Sequence, residues 1–307
     1  MIRQNLCIFL GSIFMGSSFL RKTRHVIEAF LFLIFYSFFW IFPLSWASWL
    51  GGTLARLIGP STSLNKRALR NLKRAFPEKT ESECFKISQD MWENLGQTMG
   101  EFPHMHTLVK GSKYIQVEGI ENVDFLRDDK NAGLFFSAHL ANWEISSLVA
   151  VQRNFSLLLL YRASNNPVIN LLIQGQRQKC ASLFYYPKGK LGARAALKAL
   201  KEGGHVGMLM DQKMNDGMPS SFFGMPAWTA PAIAQFSLKF KAPIVAAHVI
   251  RLKGARFKII YEKPFFAENT GNPEEDIKKV LEKINQTLER WVRENPGQWL
   301  WLHNRWR

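Results

Sequence analysis

The sequence predicts an α/β fold preceded by a membrane-anchor helix, and two observations support this prediction. From about Ile115 onward, short apolar runs alternate with segments of helical periodicity, which is the pattern of an α/β domain. Ahead of that region, no residue between Glu28 and Arg56 is charged. We therefore divide the chain into an apolar segment with the anchor at residues 1–55, a basic helical connector at 56–110, and an α/β domain at 111–307.

The anchor is predicted between Ala29 and Trp49, a run dense in Phe, Leu, Ile and Trp. As a helix, this run is long enough to cross about 30 Å of hydrocarbon. Trp40 and Trp46 lie in its second half, as in an interfacial aromatic belt, and Pro43 should bend it or mark a shallower insertion. A cleaved signal peptide is the alternative, but the run is too long for one and no clear small-x-small cleavage site follows it.

The flanks of the anchor bear on its orientation. Basic residues lie at both ends, and the richer cluster is on the domain side, which favours a cytoplasmic domain. That cluster comprises Arg56, Lys66, Arg67, Arg70, Lys73 and Arg74. An earlier apolar stretch, Leu6 to Leu20, is too short to span a bilayer comfortably. It is either an interfacial segment, or the natural start of the chain is Met15.

The net charge of +16 makes the molecule attractive to an acidic partner. Nucleic acid, anionic lipid and an acidic carrier protein all qualify. The chain has neither a zinc-finger spacing nor a low-complexity basic tail, so we predict that it does not bind nucleic acid. Its three cysteines form no CxxC pair and no even disulfide set, which suits a reducing compartment.

The connector contains two predicted helices. The first, Asn65 to Phe76, is basic and amphipathic, so it either lies on anionic headgroups or packs on the next helix with its basic face solvated. Thr80 and Glu83 form a capping box that opens the second, which runs to about Glu101. His104 and His106 resemble half a metal site, but no third ligand is nearby and we predict no metal.

The α/β domain is predicted to contain six strands and five helices. The strands are Gly133 to Ser137, Phe155 to Tyr161, Ser182 to Tyr186, His205 to Met210, Pro243 to Ile250 and Phe257 to Glu262. The helices are Trp143 to Gln152, Pro167 to Cys180, Leu191 to Glu202, Ala230 to Phe240 and one from Asn272 to about Glu294.

Polar residues follow three of these strands. His139 follows the first strand, Arg162 the second and Asp211 the fourth. Ligands in open α/β sheets bind beyond the carboxyl ends of the strands. If these strands are parallel, the three side chains converge on one site. Otherwise Arg162 is a surface ion-pair residue and Asp211 caps a loop.

His139 and Glu144 are the predicted catalytic pair. Five residues on a straight helix would separate them by roughly 140°, so the chain between them should turn. Asn142 can cap the helix that follows, which would direct Glu144 back toward His139. The carboxylate would then hold one ring nitrogen and leave the other to take a proton from a substrate hydroxyl. The same spacing also fits a capped helix beside an inert histidine.

Motifs of competing chemistries are absent from the sequence. No GxGxxG follows a predicted strand, and there is no Walker-type Gly-Lys-Ser. A G-x-S-x-G nucleophile elbow is also missing. We therefore predict neither a nucleotide-binding enzyme nor a serine hydrolase of that kind, and no cofactor.

The segment His139-Leu-Ala-Asn-Trp-Glu144 is an H-x4-E motif, and four other blocks accompany it in order. They are Arg70-Asn-Leu-Lys-Arg-Ala-Phe-Pro-Glu78, Tyr161-Arg-Ala-Ser-Asn-Asn-Pro167, Asp211-Gln212 followed by Phe222-Phe-Gly224 and Thr229, and the ending Pro296 to Arg307. Together they resemble the bacterial lipid A biosynthesis (lauroyl/myristoyl) acyltransferase family, within the H-x4-D/E glycerolipid acyltransferases. The resemblance runs from about Ile27 to Arg307.

This resemblance implies an inner-membrane enzyme with a glycerol-3-phosphate-acyltransferase-like mixed sheet flanked by helices. It would move a fatty acyl chain from acyl carrier protein, or less often coenzyme A, to a hydroxyl of a phosphorylated glycolipid, the lipid A precursor. His139 would be the general base and Glu144 its orienting partner. Arg162, Asp211 and Asn142 complete the predicted substrate-binding set: Arg162 for a phosphate or the oxyanion, Asp211 behind it, and Asn142 chiefly as the helix cap.

Two rival functions stay open from the sequence. One is acyl transfer to another glycolipid or to a lysophospholipid, and the other is a membrane protein that binds lipid or carrier protein without catalysis. Asn142-Trp143-Glu144 and the Trp-rich ending favour lipid A, and the intact His139 and Glu144 favour catalysis. The ending itself is either an interfacial anchor or a packed segment, and Leu300 and Leu302 favour packing.

Overall fold

Seven strands form one mixed β-sheet in the computed structural model, which describes residues 19–111, 113–153, 155–180 and 183–306. In chain order they are β1 Ile115–Glu118, β2 Gly133–Ser137, β3 Leu157–Tyr161, β4 Phe184–Pro187, β5 His205–Leu209, β8 Ile244–Arg251 and β9 Phe257–Tyr261. The spatial order is β1-β9-β8-β2-β5-β3-β4, and only the β8–β9 pair among these is antiparallel. A separate antiparallel hairpin joins β6 Met218–Phe222 to β7 Met225–Thr229.

Helices pack on both faces of this sheet, which confirms the predicted α/β class with a mixed sheet. They are α1 Phe19–Ile41, α2 Leu44–Ile58, α3 Ser63–Ala75, α4 Glu81–Glu101, α5 Met105–Lys110, α6 Ile120–Asp128, α7 Glu144–Gln152, α8 Pro167–Cys180, α9 Lys190–Lys201, α10 Ala232–Phe240 and α11 Pro273–Glu294. The division of the chain at residues 55 and 110 stays a prediction.

Strand β2 lies at the centre of the sheet and all five of its residues are buried. Its neighbours β5 and β8 run parallel to it. Phe136 packs into one core with α11, and Phe135 into the other with α7. A parallel strand covered on both faces reads as a continuous apolar run, which is why the sequence predicted β2 with the bounds that the structure has.

The predicted anchor is broken by Pro43 into two helices, α1 and α2, so the expected bend is confirmed. The earlier stretch from Leu6 falls almost wholly in residues 1–18, outside the described residues, as does Met15. Helix α2 packs closely on α4, because glycines face each other at the crossing. A Cβ atom added to Gly51 would lie 2.4 Å from the carbonyl oxygen of Gly96. Close packing of this kind fixes α2 on the domain.

The basic helix α3 and the C-terminal segment pack on each other. Asn71 donates hydrogen bonds to the carbonyl oxygens of Trp301 and His303, at 2.8 and 2.7 Å. The exposed side of α3 carries its cations, among them Lys66 and Arg70. The C-terminal tryptophans Trp299, Trp301 and Trp306 are buried, which confirms packing rather than an interfacial anchor.

Candidate active site

His139 lies just beyond the carboxyl end of β2, and its hydrogen-bond partner is Asp211, just beyond β5. The ring Nδ1 atom of His139 is 2.8 Å from Asp211 Oδ1, and the backbone N–H of His139 donates to Oδ2, also over 2.8 Å. The indole N–H of Trp299 donates to the same Oδ2 at 2.9 Å. Because β2 and β5 are parallel neighbours, residues that follow them meet at one edge of the sheet.

Asp211 fixes the tautomer of His139. The carboxylate is fully buried, and burial by itself opposes its ionisation. The imidazole of His139, the nearby His303 and the hydrogen bonds outweigh burial and hold the pKa of Asp211 well below its usual range. An ionised carboxylate can only accept, so Nδ1 of His139 carries the proton and Nε2 presents its lone pair. This is the arrangement that a general base needs.

In the free enzyme, the side-chain amide of Gln212 donates a hydrogen bond to Nε2 of His139. Its amide nitrogen is 3.3 Å from Nε2 of His139 and 3.3 Å from Nε2 of His303. The two imidazole rings lie 4.9 Å apart, centre to centre. Burial and the neighbouring His139 lower the pKa of His303 to about 4, so His303 is neutral at physiological pH and accepts from Gln212.

The predicted contact between Glu144 and His139 is wrong. Glu144 pairs with Arg177 of α8, whose Nε and Nη2 atoms donate to its two carboxylate oxygens at 2.8 and 2.6 Å. Burial alone would lower the pKa of Arg177, but the charge and hydrogen bonds of Glu144 raise it. Glu144 also accepts from the indole of Trp143 at 3.2 Å. Glu144 therefore forms a nearly buried ion pair with Arg177 and not with the imidazole of His139.

The predicted cap role of Asn142 is also wrong. The side chain is fully buried, and its Nδ2 donates to Glu101 of α4 at 2.9 Å. Its Oδ1 atom accepts no hydrogen bond in the described part of the chain, so it does not cap α7. At the start of α7, Asn142 accepts through its backbone instead, from the Ile145 N–H to the Asn142 carbonyl oxygen at 3.3 Å. Asn142 therefore ties the turn after His139 to α4, on the side away from the cavity, and does not line the cavity.

A cavity of about 290 Å³ opens beside His139. Its polar residues include His139, Gln212, Arg162, Lys188 and the Glu144–Arg177 pair. Its interior lies against the sheet strands and is mostly apolar, with walls that include Phe135, Leu157, Leu159, Gly207, Ala247 and Tyr261. A polar head over an apolar interior suits a ligand with a long hydrocarbon part.

Two cations, Arg162 and Lys188, lie at the polar end of the cavity. Arg162 is exposed, and within the described residues its side chain has no hydrogen bond or ion pair. Desolvation lowers the pKa of Lys188, partly opposed by Asp211. The predicted convergence is thus confirmed for His139 and Arg162, which line one cavity, whereas Asp211 lies behind His139.

Several residues of the site were not predicted from the sequence as site residues. Gln212, His303 and Trp299 lie in the family-like blocks, and their place in those blocks was the signal that could have found them. Lys188 and Arg177 carried no such signal, because a lysine after a short strand and an arginine in a helix are common surface residues.

The fold and the site together indicate a class of protein. An open α/β sheet that holds a buried Asp–His pair at the head of an apolar cavity, next to an exposed apolar helix, is typical of an enzyme that acts on a lipid. The model of a protein family described as bacterial lipid A biosynthesis acyltransferase matches residues 16–307. The chain therefore belongs to the bacterial lipid A biosynthesis acyltransferase family.

Characterised relatives are distant but extend over most of the chain. The chain is 21% identical to lipid A biosynthesis acyltransferase 2 of Shigella flexneri over 269 residues, 85% of this chain and 84% of the relative. It is 22% identical to lipid A biosynthesis myristoyltransferase of Escherichia coli K12, over 82% and 77% of the two chains. Identity to the lauroyltransferase of the same organism is 24%, over 78% and 77%. The family makes the protein an acyltransferase of lipid A biosynthesis, with a lipid acceptor and an acyl donor.

The Glu144–Arg177 pair should be a determinant of stability. Replacing Glu144 by Ala leaves Arg177 nearly buried without its partner, which should cost about 3–5 kcal/mol of unfolding free energy. The double variant Glu144→Ala with Arg177→Met should recover most of that loss. Urea unfolding in detergent measures both. The exposed pair Lys198–Glu202 is the control, and Glu202→Ala should change stability little. Equal losses in the single and double variants would contradict the pairing.

The half-buried, neutral His303 should make the protein sensitive to acid. In the unfolded chain a histidine takes up a proton below pH about 6.5, whereas the pKa of His303 in the folded protein is about 4. The unfolded state binds more protons between those values, so stability falls as the pH is lowered from 6.5 to 4. In His303→Gln the midpoint of urea unfolding should fall less steeply over this range. The exposed His106→Gln is the control, and identical slopes in the two variants would contradict the account.

Proposed function

We propose that the protein transfers a fatty acyl chain from acyl carrier protein to a hydroxyl of a lipid A precursor, with His139 as general base. One observation carries the proposal: His139 stands at the polar head of an apolar cavity with Nδ1 bound to a buried carboxylate. The acyl chain would occupy the apolar interior, which brings the thioester carbonyl to Nε2. The reaction would take place at the cytoplasmic face of the inner membrane.

In the proposed reaction, Nε2 of His139 takes the proton of the acceptor hydroxyl as its oxygen attacks the thioester carbonyl. The tetrahedral intermediate collapses with cleavage of the C–S bond, and the imidazolium returns its proton to the leaving thiolate. Acyl transfer is then direct, without a covalent acyl-enzyme. Asp211 stabilises the imidazolium, as a buried carboxylate does for a catalytic histidine.

Gln212 would change partner during the reaction. The acceptor hydroxyl must displace its amide N–H from Nε2 of His139, and the freed N–H lies next to the reacting carbonyl. A donor placed there would stabilise the developing oxyanion. The hydrogen bond to His303 keeps the amide in place while this exchange occurs.

The charges suit both proposed substrates. Arg162 and Lys188, at the polar end of the cavity, would bind a phosphate of the acceptor. Acyl carrier proteins are acidic, and the net charge of +16 favours their approach over that of a neutral donor. Two of the relatives have names that specify lauroyl or myristoyl transfer in lipid A biosynthesis, which supports a lipid A precursor as the acceptor.

Variants of the Asp–His pair test the mechanism. His139→Ala and Asp211→Asn should each lower the transfer rate about 10²–10⁴-fold, because they remove the base or its correct tautomer. Combining them should cost no more than His139→Ala alone, since Asp211 acts through His139. Asp216→Asn, an exposed carboxylate in the loop after β5, is the matched control and should keep full activity.

The assay uses membranes that contain the full-length enzyme, a radiolabelled acyl donor and a lipid A precursor, with acyl carrier protein and coenzyme A thioesters compared. Mass spectrometry of lipid A from a deletion strain identifies the missing chain and its position. Full activity of His139→Ala would refute the general base. An unchanged lipid A with an altered glycolipid or phospholipid would replace the proposed acceptor by that lipid.

Gly207 should help to set the length of the acyl chain. It lies on β5 in the cavity wall, and a Cβ atom there would be 2.7 Å from a methyl group of Leu159, which would have to move. Gly207→Val should shorten the cavity and favour a donor shorter by two carbons about tenfold, at roughly 0.8 kcal/mol per methylene. Competition between donors of different length measures this shift. Gly175→Val, with open space at its Cβ, is the control, and an unchanged preference in Gly207→Val would place the chain elsewhere.

A further inference from the structure

Helix α9 carries four exposed cations on one face, which we call the α9 ridge. They are Lys190, Arg194, Lys198 and Lys201. At about 100° per residue they lie within roughly 80° of one another, along about 16 Å of helix. The opposite side of α9 is buried, at Gly192, Ala196 and Leu200. The ridge therefore points straight away from the core.

Most of the charge of the α9 ridge is not neutralised by the protein itself. Lys190, Arg194 and Lys201 form no ion pair with any other described residue. Lys198 is 4.0 Å from Glu202, and because both side chains are exposed this pair is weak. Like charges four residues apart repel each other, and a cation in the first turn opposes the helix dipole. The ridge thus lowers the stability of α9, which is explained if it binds an acidic partner.

The ridge begins at the mouth of the cavity. Lys188 lines the cavity two residues before Lys190, and its backbone N–H donates to the Tyr161 carbonyl oxygen at 2.8 Å. The first turn of α9 packs directly on the end of β4, since a Cβ atom added to Gly192 would collide with the carbonyl oxygen of Pro187. The start of α9 is therefore fixed at the same edge of the sheet as the active site.

Exposed aromatic and aliphatic side chains lie next to the ridge. Strand β4 is at the edge of the sheet and contacts α9. Tyr185 packs against the core on the α7 side, so its neighbours Phe184 and Tyr186 point to the side of α9. Both are exposed, as is Leu191 in the first turn of α9. A surface that combines arginine and aromatic side chains is typical of a protein interface.

The α9 ridge lies on the opposite face of the sheet from the candidate membrane span. Ala196 and Leu200 of α9 belong to the core of Phe136. Helix α1 has the length and composition of a span over Arg21–Ile41. It contacts α8, which contacts α5, and α5 belongs to the core of Phe135 on the other face. A soluble acidic protein therefore suits the ridge better than the headgroups of a bilayer around α1.

We propose that the α9 ridge is the docking surface for the acyl carrier protein, an inference that rests on the donor proposed above. An acidic face of the carrier lies along the ridge, and its phosphopantetheine arm enters the cavity beside Lys188. The thioester then reaches His139 while the carrier stays outside the cavity. A donor without the carrier protein makes no use of the ridge.

Kinetics with two donors test the proposal. The ridge variant combines Lys190→Gln, Arg194→Gln and Lys201→Gln, and glutamine keeps a helix propensity close to that of the residues replaced. The matched control removes three exposed cations from α3, so that both proteins lose the same net charge; it combines Lys66→Gln, Arg70→Gln and Arg74→Gln. The full-length enzyme in membranes receives a dodecanoyl chain from acyl carrier protein or from pantetheine alone, with a lipid A precursor as acceptor.

The ridge variant should raise the KM for the carrier thioester about tenfold and leave kcat unchanged, because the charges act on docking and not on the chemical step. High salt should produce the same rise in the unaltered enzyme and little further rise in the variant. Both constants for the pantetheine thioester should stay unchanged, which also shows that the variant is folded. The α3 control should keep the KM of the unaltered enzyme.

Four results would contradict the proposal or its premise. An equal rise of KM in the two variants would mean that only the overall charge matters, and no rise in the ridge variant would place the carrier elsewhere. A parallel loss with the pantetheine thioester would place the effect in the cavity. Each of these overturns the docking surface alone. An unaltered enzyme that accepts coenzyme A thioesters but no carrier thioester would refute the proposed donor instead.

Discussion

The active site depends on one buried carboxylate. Asp211 is fully shielded from water, and it receives hydrogen bonds from the His139 backbone, the His139 ring and the Trp299 indole. A buried charge persists only where such donors compensate for its lost hydration. The strand order supplies two of them, because β2 and β5 are parallel neighbours, and the C-terminal segment supplies the third. The same carboxylate therefore holds together two strand ends and the last residues of the chain.

A second buried network fixes the backbone that follows His139. Glu101 of α4 accepts from Ser48 of α2 at 2.6 Å and from Asn142 at 2.9 Å, and it pairs with Arg251 at the end of β8. On the other side, Leu140 forms an isolated bridge with Trp299. The turn after His139 is thus held from α4 and from the C-terminal segment. Ser48 extends this network to α2, so α2 and the catalytic turn share one rigid support.

Much of the fold could be predicted from the sequence, because its central strands are buried and apolar. Strand β2 and helix α8 have the predicted bounds. Strand β1, most of whose residues are exposed, was not predicted, and neither was the β6–β7 hairpin, whose strands both contain proline and have exposed positions. None of these strands has a continuous apolar run, and proline inside β6 and β7 argues against a strand.

The partner of His139 could not be predicted from local spacing. Glu144 is five residues away in sequence, but α8 places Arg177 against it. Asp211 is 72 residues away and becomes the partner because β5 lies beside β2. The prediction of Asn142 as a cap failed for a similar reason, since Glu101 from α4 attracts its amide away from the start of α7. Tertiary contacts decided both cases.

The most direct test of the account is a structure of the full chain with an amide-linked acyl carrier analogue that cannot react. An alkyl chain should lie in the cavity against β2, β3 and β5, with the carbonyl carbon about 3–3.5 Å from a site where a hydroxyl would contact Nε2 of His139. Gln212 should then have left Nε2. An alkyl chain bound outside this cavity, or a carbonyl beside Glu144 while Gln212 still occupies Nε2, would contradict it.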